Sequence, residues 1–238
     1  MTTAVIALGK IGLPLALQIT SKGQHVIGAD INQDVVNLVN NGMEPFPGET
    51  GLQEKLDHAI SENLLTATTN TVDAVSKSKE IIVVVPVIVD NDGVPDFSMI
   101  DSATAEIAKG LQPGTLISYE TTLPIGTTRN RFKPELEKIS NLICGEDFFL
   151  CHSPERVFSG RIFADLRKYP KLVGGTDEKS SDLAVEFYER ILDFDDRPDL
   201  ERANGVWNLG SSEAAEMAKL AETTYRNVNI ALANEFAL

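Results

Sequence analysis

Two glycines and one acid stand within the first thirty residues at a spacing that suits the diphosphate and ribose of a dinucleotide. The apolar run Ala4-Val-Ile-Ala-Leu8 breaks at Gly9-Lys10-Ile11-Gly12, continues as helix-like sequence to about Lys22, and re-emerges as His25-Val-Ile-Gly28 before Ala29-Asp30. Glycines let the backbone turn tightly from strand to helix and approach a pyrophosphate, whose charge then sits on the amides and positive dipole end of the helix. Asp30, at the end of the second strand, is placed to accept hydrogen bonds from a ribose diol. A carboxylate there repels a 2′-phosphate, so the pattern predicts NAD rather than NADP. Ala7 stands where the first glycine of a G-x-G-x-x-G pattern would be, and a methyl group is tolerated there if the residue keeps a negative φ.

The elements that must position these groups alternate along the chain. Gln33–Asn40 reads as helix, 41–48 as a turn-rich loop, 51–63 as an amphipathic helix, 65–68 as strand and 71–78 as helix. The longest apolar stretch, Ile81 to Val89, reads as a buried parallel strand. A helix over 101–110, strands over 115–119, 148–150 and 171–175, and a helix over 180–192 follow. This alternation predicts an α/β fold, a doubly wound parallel sheet of Rossmann type, followed by one long α-helix over 211–238, capped by Ser211 or Ser212. Ligands on such sheets collect beyond the carboxyl ends of the strands. That rule singles out Gly9 to Gly12, Asp30, Pro86 onward, Thr121-Thr122, and Cys151-His-Ser-Pro-Glu-Arg156.

Composition limits the partners. The 35 acids against 21 Lys plus Arg leave a net charge of −14, which disfavours nucleic acid and anionic membrane surfaces. The apolar stretches are too short to span a bilayer. Two cysteines and the absence of a secretory n-region point to a reducing cytoplasm. His25, His58 and His152 lack metal-ligand spacing, so no metal is expected. Cys151 beside His152 invites a nucleophile reading, but a cysteine ending an apolar strand is ordinarily buried packing, and Cys144 is read as structural too. The acids of 193–199 read as a solvated loop.

Taken together, Leu8-Gly-Lys-Ile-Gly-Leu-Pro14, Gly51-Leu52, Glu120-Thr-Thr-Leu-Pro-Ile-Gly-Thr-Thr128, Ser153-Pro-Glu-Arg156, Val173-Gly-Gly175, Ala215-Glu-Met-Ala-Lys-Leu220 and Asn234-Glu235 resemble the UDP-glucose/GDP-mannose dehydrogenase family, the nucleotide-sugar 6-dehydrogenases. They run in family order across nearly the whole chain. The resemblance implies NAD-dependent oxidation of the C6 hydroxymethyl of a sugar nucleotide to a carboxylate in two hydride-transfer steps. It implies that Glu155 takes part in acid/base and thioester-hydrolysis chemistry and that Lys219 stabilises developing oxyanion charge. Thr122 would lie beside the nicotinamide and help hold a water, and Arg156 and Val157 would contact the sugar nucleotide. Gly9, Lys10, Ile11, Gly12, Asp30, Pro86, Thr121 and Thr122 would line the cofactor site. The chemistry asks for such parts independently, because hydride leaves C6 only as the hydroxyl proton is lost, and a cation must steady the oxyanion. Lys219 alone would read as a solvated helix residue; its apolar neighbours Ala218 and Leu220 together with the family resemblance favour catalysis instead.

Three departures stand out. Thr223 occupies the position one turn after Lys219 where many members place asparagine, and its hydroxyl is expected to serve there. Pro86-Val87-Ile88 replaces Pro-Thr-Pro beside the cofactor. The family's nucleophilic cysteine, beyond the central helix, has no counterpart in these 238 residues. The chain is therefore expected to comprise an NAD-binding domain, 1–205, and the start of a central, dimer-forming helix, 206–238, without the C-terminal substrate domain and inactive alone. Ser-Pro-Glu-Arg156 and Arg226-Asn-Val-Asn-Ile230 most resemble members acting on UDP-N-acetylhexosamines, UDP-N-acetylmannosamine in particular. UDP-glucose as substrate, and a non-catalytic NAD-binding module, stand as alternatives.

Overall fold

Val5 and Ile82 pack on one face of the central sheet, and Ala4, Ile6, Ile81 and Val83 on the other. A strand's two-residue period sends neighbours to opposite faces, and both faces here are covered by helices, so these strands read as unbroken apolar runs. In this computed structural model, which describes residues 1–237, the elements in chain order are β1 (Thr2–Ile6), α1 (Gly12–Thr20), β2 (His25–Ala29), α2 (Gln33–Asn40), α3 (Leu52–Ser61), β3 (Leu65–Thr68), α4 (Thr71–Ser76) and β4 (Glu80–Val83). A small hairpin, β5 (Ile88–Val89) and β6 (Pro95–Asp96), precedes α5 (Ser98–Gly110) and β7 (Leu116–Tyr119). A π-helical turn, Thr128–Phe132, runs into α6 (Lys133–Ser140). Then come β8 (Phe149–His152), α7 (Ile162–Lys168), β9 (Lys171–Gly175), α8 (Glu178–Ile191), β10 (Val206–Asn208) and α9 (Ser212–Ala237).

The sheet order is β10-β9-β8-β7-β4-β1-β2-β3. From β1 the chain winds outward through β2 and β3, then returns to place β4 on the other side of β1. The crevice between the carboxyl ends of β1 and β4 is thus the topological switch point, where such sheets bind ligands. Helices α1, α2, α3, α7 and α8 bury Leu17, Val39, Leu56, Leu166 and Phe187 against one face. Helices α4, α5 and α6 bury Val75, Ile107 and Leu136 against the other.

Two features differ from the sequence reading. The sheet is mostly parallel, but β8 and β9 pair antiparallel, Cys151 with Gly175 and His152 with Gly174. The apolar stretch 81–89 is not one buried strand: β4 ends at Val83, and Ile88 and Val89 are exposed in the β5–β6 hairpin. Apolarity alone could not mark that end, because the chain leaves the sheet at Val84–Pro86 to line a cavity.

Helix α9 is capped by Ser211, whose hydroxyl accepts from the Ala214 amide. Ser212, Ala215 and Glu216 are buried, whereas Tyr225, Val228, Leu232 and Phe236 are exposed. Leu238, the end of the expected helix, lies outside the described residues. Among the described residues no helix is long and apolar enough to cross a membrane.

Candidate active site

A cavity of about 670 Å³ opens over the switch point. Its floor is the turn after β1, its walls Asp30 and Ile31 after β2 and Val84 to Pro86 after β4, and α5 closes it with Ser98, Met99, Ser102, Ala103 and Glu106. Gly9, Lys10, Ile11, Gly12, Asp30 and Pro86 all line it. The two glycines of the turn serve different ends. A Cβ on Gly12 would stand 1.9 Å from the Ala7 carbonyl oxygen, so this glycine is required by helix-to-strand packing. A Cβ on Gly9 would meet nothing, and Gly9 has no positive φ. Nothing among the described residues demands glycine there; the room it leaves belongs to the cavity, as a close-approaching pyrophosphate requires. The cradle therefore fits a dinucleotide.

Ala7 corrects an expectation. Its φ is +76°, in the left-handed region, not negative. The conformation persists because the Ala7 amide donates to the Ala29 carbonyl at 2.7 Å and its own carbonyl packs against Gly12. Backbone demand outweighs the methyl's steric cost. Asp30 also serves the backbone. Its carboxylate accepts from the Leu8 amide at 2.8 Å and from the Asn32 amide at 2.9 Å, tying the turn to the end of β2. A carboxylate has about four acceptor sites, so capacity for a ribose diol remains. Ile31, 92% exposed beside it, offers an apolar face.

Further along the same sheet edge, the loops after β7 and β8 bring charges together. The Lys219 ammonium reaches from α9 to donate to the Glu155 main-chain carbonyl at 2.6 Å. Burial lowers the pKa of Lys219, with nearby carboxylates acting against that. The Glu155 carboxylate accepts from the Arg156 amide at 2.7 Å and from the Lys171 ammonium at 2.9 Å. Burial disfavours its charge, but Lys171 overcomes this and holds Glu155 below the usual carboxylate range. Lys171 also donates to Glu120 at 2.6 Å, and the Tyr188 hydroxyl donates to the other Glu120 oxygen at 2.6 Å. Burial pushes Glu120 up to about 7, with Lys171 opposing.

Helix α9 is fastened to the loop carrying Thr121 and Thr122. The buried Glu216 carboxylate accepts from the amides of Gly126 and Thr128 and from the Thr128 hydroxyl, and Arg129 pairs with Glu213. The Thr121 hydroxyl donates to the carbonyl of Val85, a cavity residue, at 2.6 Å, whereas Thr122 is exposed. Neither threonine lines the cavity itself. Arg156 is held by Glu222 of α9 and by the Pro170 carbonyl, and Val157 is half-buried beside it. Thr223 is half-buried one turn beyond Lys219.

Both cysteines are buried thiols; burial pushes Cys151 up to about 12 and raises Cys144 as well. His152 is fully buried, its pKa lowered to about 3 by burial and by Lys171, with no hydrogen-bond partner for either ring nitrogen among the described residues. The acids of 193–199 are not merely solvated, since Asp193 pairs with Lys22, Asp195 with Arg167 and Asp199 with Arg197. Sequence reasoning passed over Lys171, Glu120, Tyr188 and Glu216 as members of the site. A signal existed for two of them: Lys171 is a charge opening the apolar strand Lys-Leu-Val-Gly-Gly175, and Glu120, like Asp30, is an acid at a strand's carboxyl end.

Comparison with known proteins places this geometry. The UDP-glucose/GDP-mannose dehydrogenase family, NAD binding domain, matches residues 1–192. The chain is 36% identical over 238 residues to UDP-N-acetyl-D-mannosamine dehydrogenase of Pyrococcus horikoshii, covering 100% of this chain and 53% of that protein. It is 34% identical over 241 residues to the enzyme of that name from Campylobacter jejuni, covering 98% and 55%. The solved UDP-D-ManNAc dehydrogenase from Pyrococcus horikoshii superposes with a TM-score of 0.89, covering 100% of this chain and 53% of that one. The chain thus spans about half the length of the curated relatives it matches. It belongs to the UDP-glucose/GDP-mannose dehydrogenase family and carries that family's NAD-binding domain.

Proposed function

We propose that this chain is the cofactor-binding part of an NAD-dependent nucleotide-sugar 6-dehydrogenase: an NAD-binding unit over 1–205, and over 206–238 the lead-in to a central helix. The proposed reaction oxidises the C6 hydroxymethyl of a UDP-sugar, UDP-N-acetylmannosamine or a related UDP-N-acetylhexosamine, to the uronic acid in two steps. The meeting of Lys219 with the Glu155 main-chain carbonyl carries this reading, because it brings a cation from α9 to the carboxylate-bearing loop after β8, on the sheet edge where the dinucleotide cavity also opens. NAD, when bound, supplies the hydride acceptor. Gly9 to Gly12 cradle the pyrophosphate and Asp30 takes the ribose diol. The ionised Glu155 receives a proton from the hydroxyl or from a water held with Thr122, and Lys219 and Thr223 steady the alkoxide as hydride departs. Arg156 and Val157 hold the sugar nucleotide.

Relatives named for UDP-N-acetyl-D-mannosamine support that sugar over UDP-glucose. Neither buried cysteine suits a thioester, so the four-electron oxidation needs a nucleophile from outside these 238 residues, and the chain alone is inactive. The exposed stripe Tyr225, Val228, Leu232 and Phe236 suits burial in a homodimer built through α9. Unpaired thiols suit the reducing cytoplasm.

The test is NADH production by the complete protein against a panel of UDP- and GDP-sugars. Turnover highest on UDP-N-acetylmannosamine supports the reading. Preference for UDP-glucose transfers it to that substrate, and silence on every sugar contradicts dehydrogenase activity in favour of an idle NAD-binding module.

A further inference from the structure

Lys171 opens β9 with its side chain 5% exposed, an unfavourable place for an ammonium unless it is fully paired. Its pairing is divided. Nζ lies 2.6 Å from Glu120 Oε2 and 2.9 Å from Glu155 Oε2, so one cation joins the loop after β7 to the loop after β8. The far side of the unit is closed: Glu120 Oε1 accepts from the Tyr188 hydroxyl, which pairs with Ser118, and the Tyr188 ring lies 4.8 Å from Nζ. The near side is open, because Glu155 keeps 11% of its side chain accessible and, among the described residues, its other oxygen is held only by the Arg156 amide.

We propose that Lys171, gripped between Glu120 and Glu155, is a positioning residue of this site: it fixes the orientation and the ionised form of the Glu155 carboxylate, and Glu120 is the anchor that keeps the ammonium there. The inference rests on the dehydrogenase reading for the role of Glu155, but the grip itself does not. A buried ion pair adds little stability over apolar residues of similar volume, so plain packing at the head of β9 does not call for lysine. Once the cation is there, removing it leaves two buried carboxylates facing each other, and one must take a proton. The charged and titratable groups around it are Glu120 after β7, Cys151, His152, Glu155 and Arg156 from β8 and its loop, Asp165 of α7 and Tyr169 just beyond it, Tyr188 from α8, and Lys219 from α9. Of these, only Lys171 makes a direct ion pair with the Glu155 carboxylate among the described residues.

The experiment is a carbon-13 NMR titration of glutamate side-chain carboxyls in the 238-residue chain, with no cofactor or substrate, Glu155 being assigned by the signal lost in Glu155→Gln. In the wild type the Glu155 midpoint is expected below the ordinary glutamate value of about 4.3. In Lys171→Met it should rise above that value, and in Lys171→Arg it should return toward the wild-type position. A wild-type midpoint at or above the ordinary value, or one that Lys171→Met leaves unmoved, overturns the proposal. Should Lys171→Met fail to fold, the wild-type midpoint and its retention in Lys171→Arg still decide. Because no turnover is read, failure here is distinct from failure of the dehydrogenase reading, which the sugar panel tests.

Discussion

Glu216 of α9 and Thr128, which opens the π-helical turn following the loop after β7, are joined twice, amide and hydroxyl of the threonine both donating to one carboxylate oxygen, at 2.8 and 2.7 Å. Through this contact the helix that carries Lys219 is registered against the loop that carries Thr122.

Replacing Glu216 by Ala should strip the acceptors from the Gly126 and Thr128 amides and cost roughly 1–3 kcal/mol for each buried donor left unpaired. Glu216→Gln, with one acceptor oxygen, should lose less. Urea unfolding measures the cost, and faster hydrogen exchange confined to the amides of Gly126 and Thr128 would localise it.

Ala7→Gly should stabilise the chain by about 1 kcal/mol, because an L-residue at positive φ carries roughly 1–2 kcal/mol of strain, partly offset by glycine's greater unfolded entropy. The midpoint of denaturant unfolding reads this directly. A destabilised Ala7→Gly would mean that the methyl contributes packing which the left-handed backbone does not reveal.

Asp30 should separate into two roles. Asp30→Asn keeps an oxygen for the Leu8 amide but gives up the acceptor for the Asn32 amide, so it should cost about 1 kcal/mol of stability while weakening NAD roughly tenfold or more, the worth of a charged acceptor to the ribose. Asp30→Ala should lose both. Equal NAD affinity in all three proteins would move the ribose away from the end of β2.

Acid stability should reflect two opposed groups. His152 has its folded pKa lowered to about 3, so the unfolded chain binds its proton first and stability falls as pH drops from about 6.5 toward 3. Glu120 has its folded pKa raised to about 7, so the folded chain binds the extra proton and stability falls as pH rises from about 4.5 to 7. Between about pH 4.5 and 6.5 the slopes oppose each other. His152→Phe should therefore leave a protein whose stability declines as pH rises through this window, and Glu120→Gln one that loses stability more steeply on acidification. Unfolding midpoints measured at several pH values test both signs.

How far the sequence could be read follows from what each residue answers to. Gly12 was legible because a side chain there would strike the Ala7 carbonyl, and a steric need of that kind leaves its mark on residue type. Strands β1, β4 and β7 were legible because burial on both faces demands apolar runs. The antiparallel step from β8 to β9 was not, since a strand of Phe-Leu-Cys-His or Lys-Leu-Val-Gly-Gly carries no mark of its direction. The φ of Ala7 was hidden because its cause is a hydrogen bond to Ala29, a partner on another strand. Glu216 was hidden for a similar reason: a charged residue on an amphipathic helix is ordinarily solvated, and only the folded chain brings Thr128 to it.

The most direct measurement is calorimetric titration of the 238-residue chain with NAD and, separately, NADP. Saturable NAD binding, with NADP at least about tenfold weaker because a 2′-phosphate would face the Asp30 carboxylate, is the expected result. A folded sample that binds neither, or both equally, would contradict the assignment of the cavity over β1 and β4 to NAD.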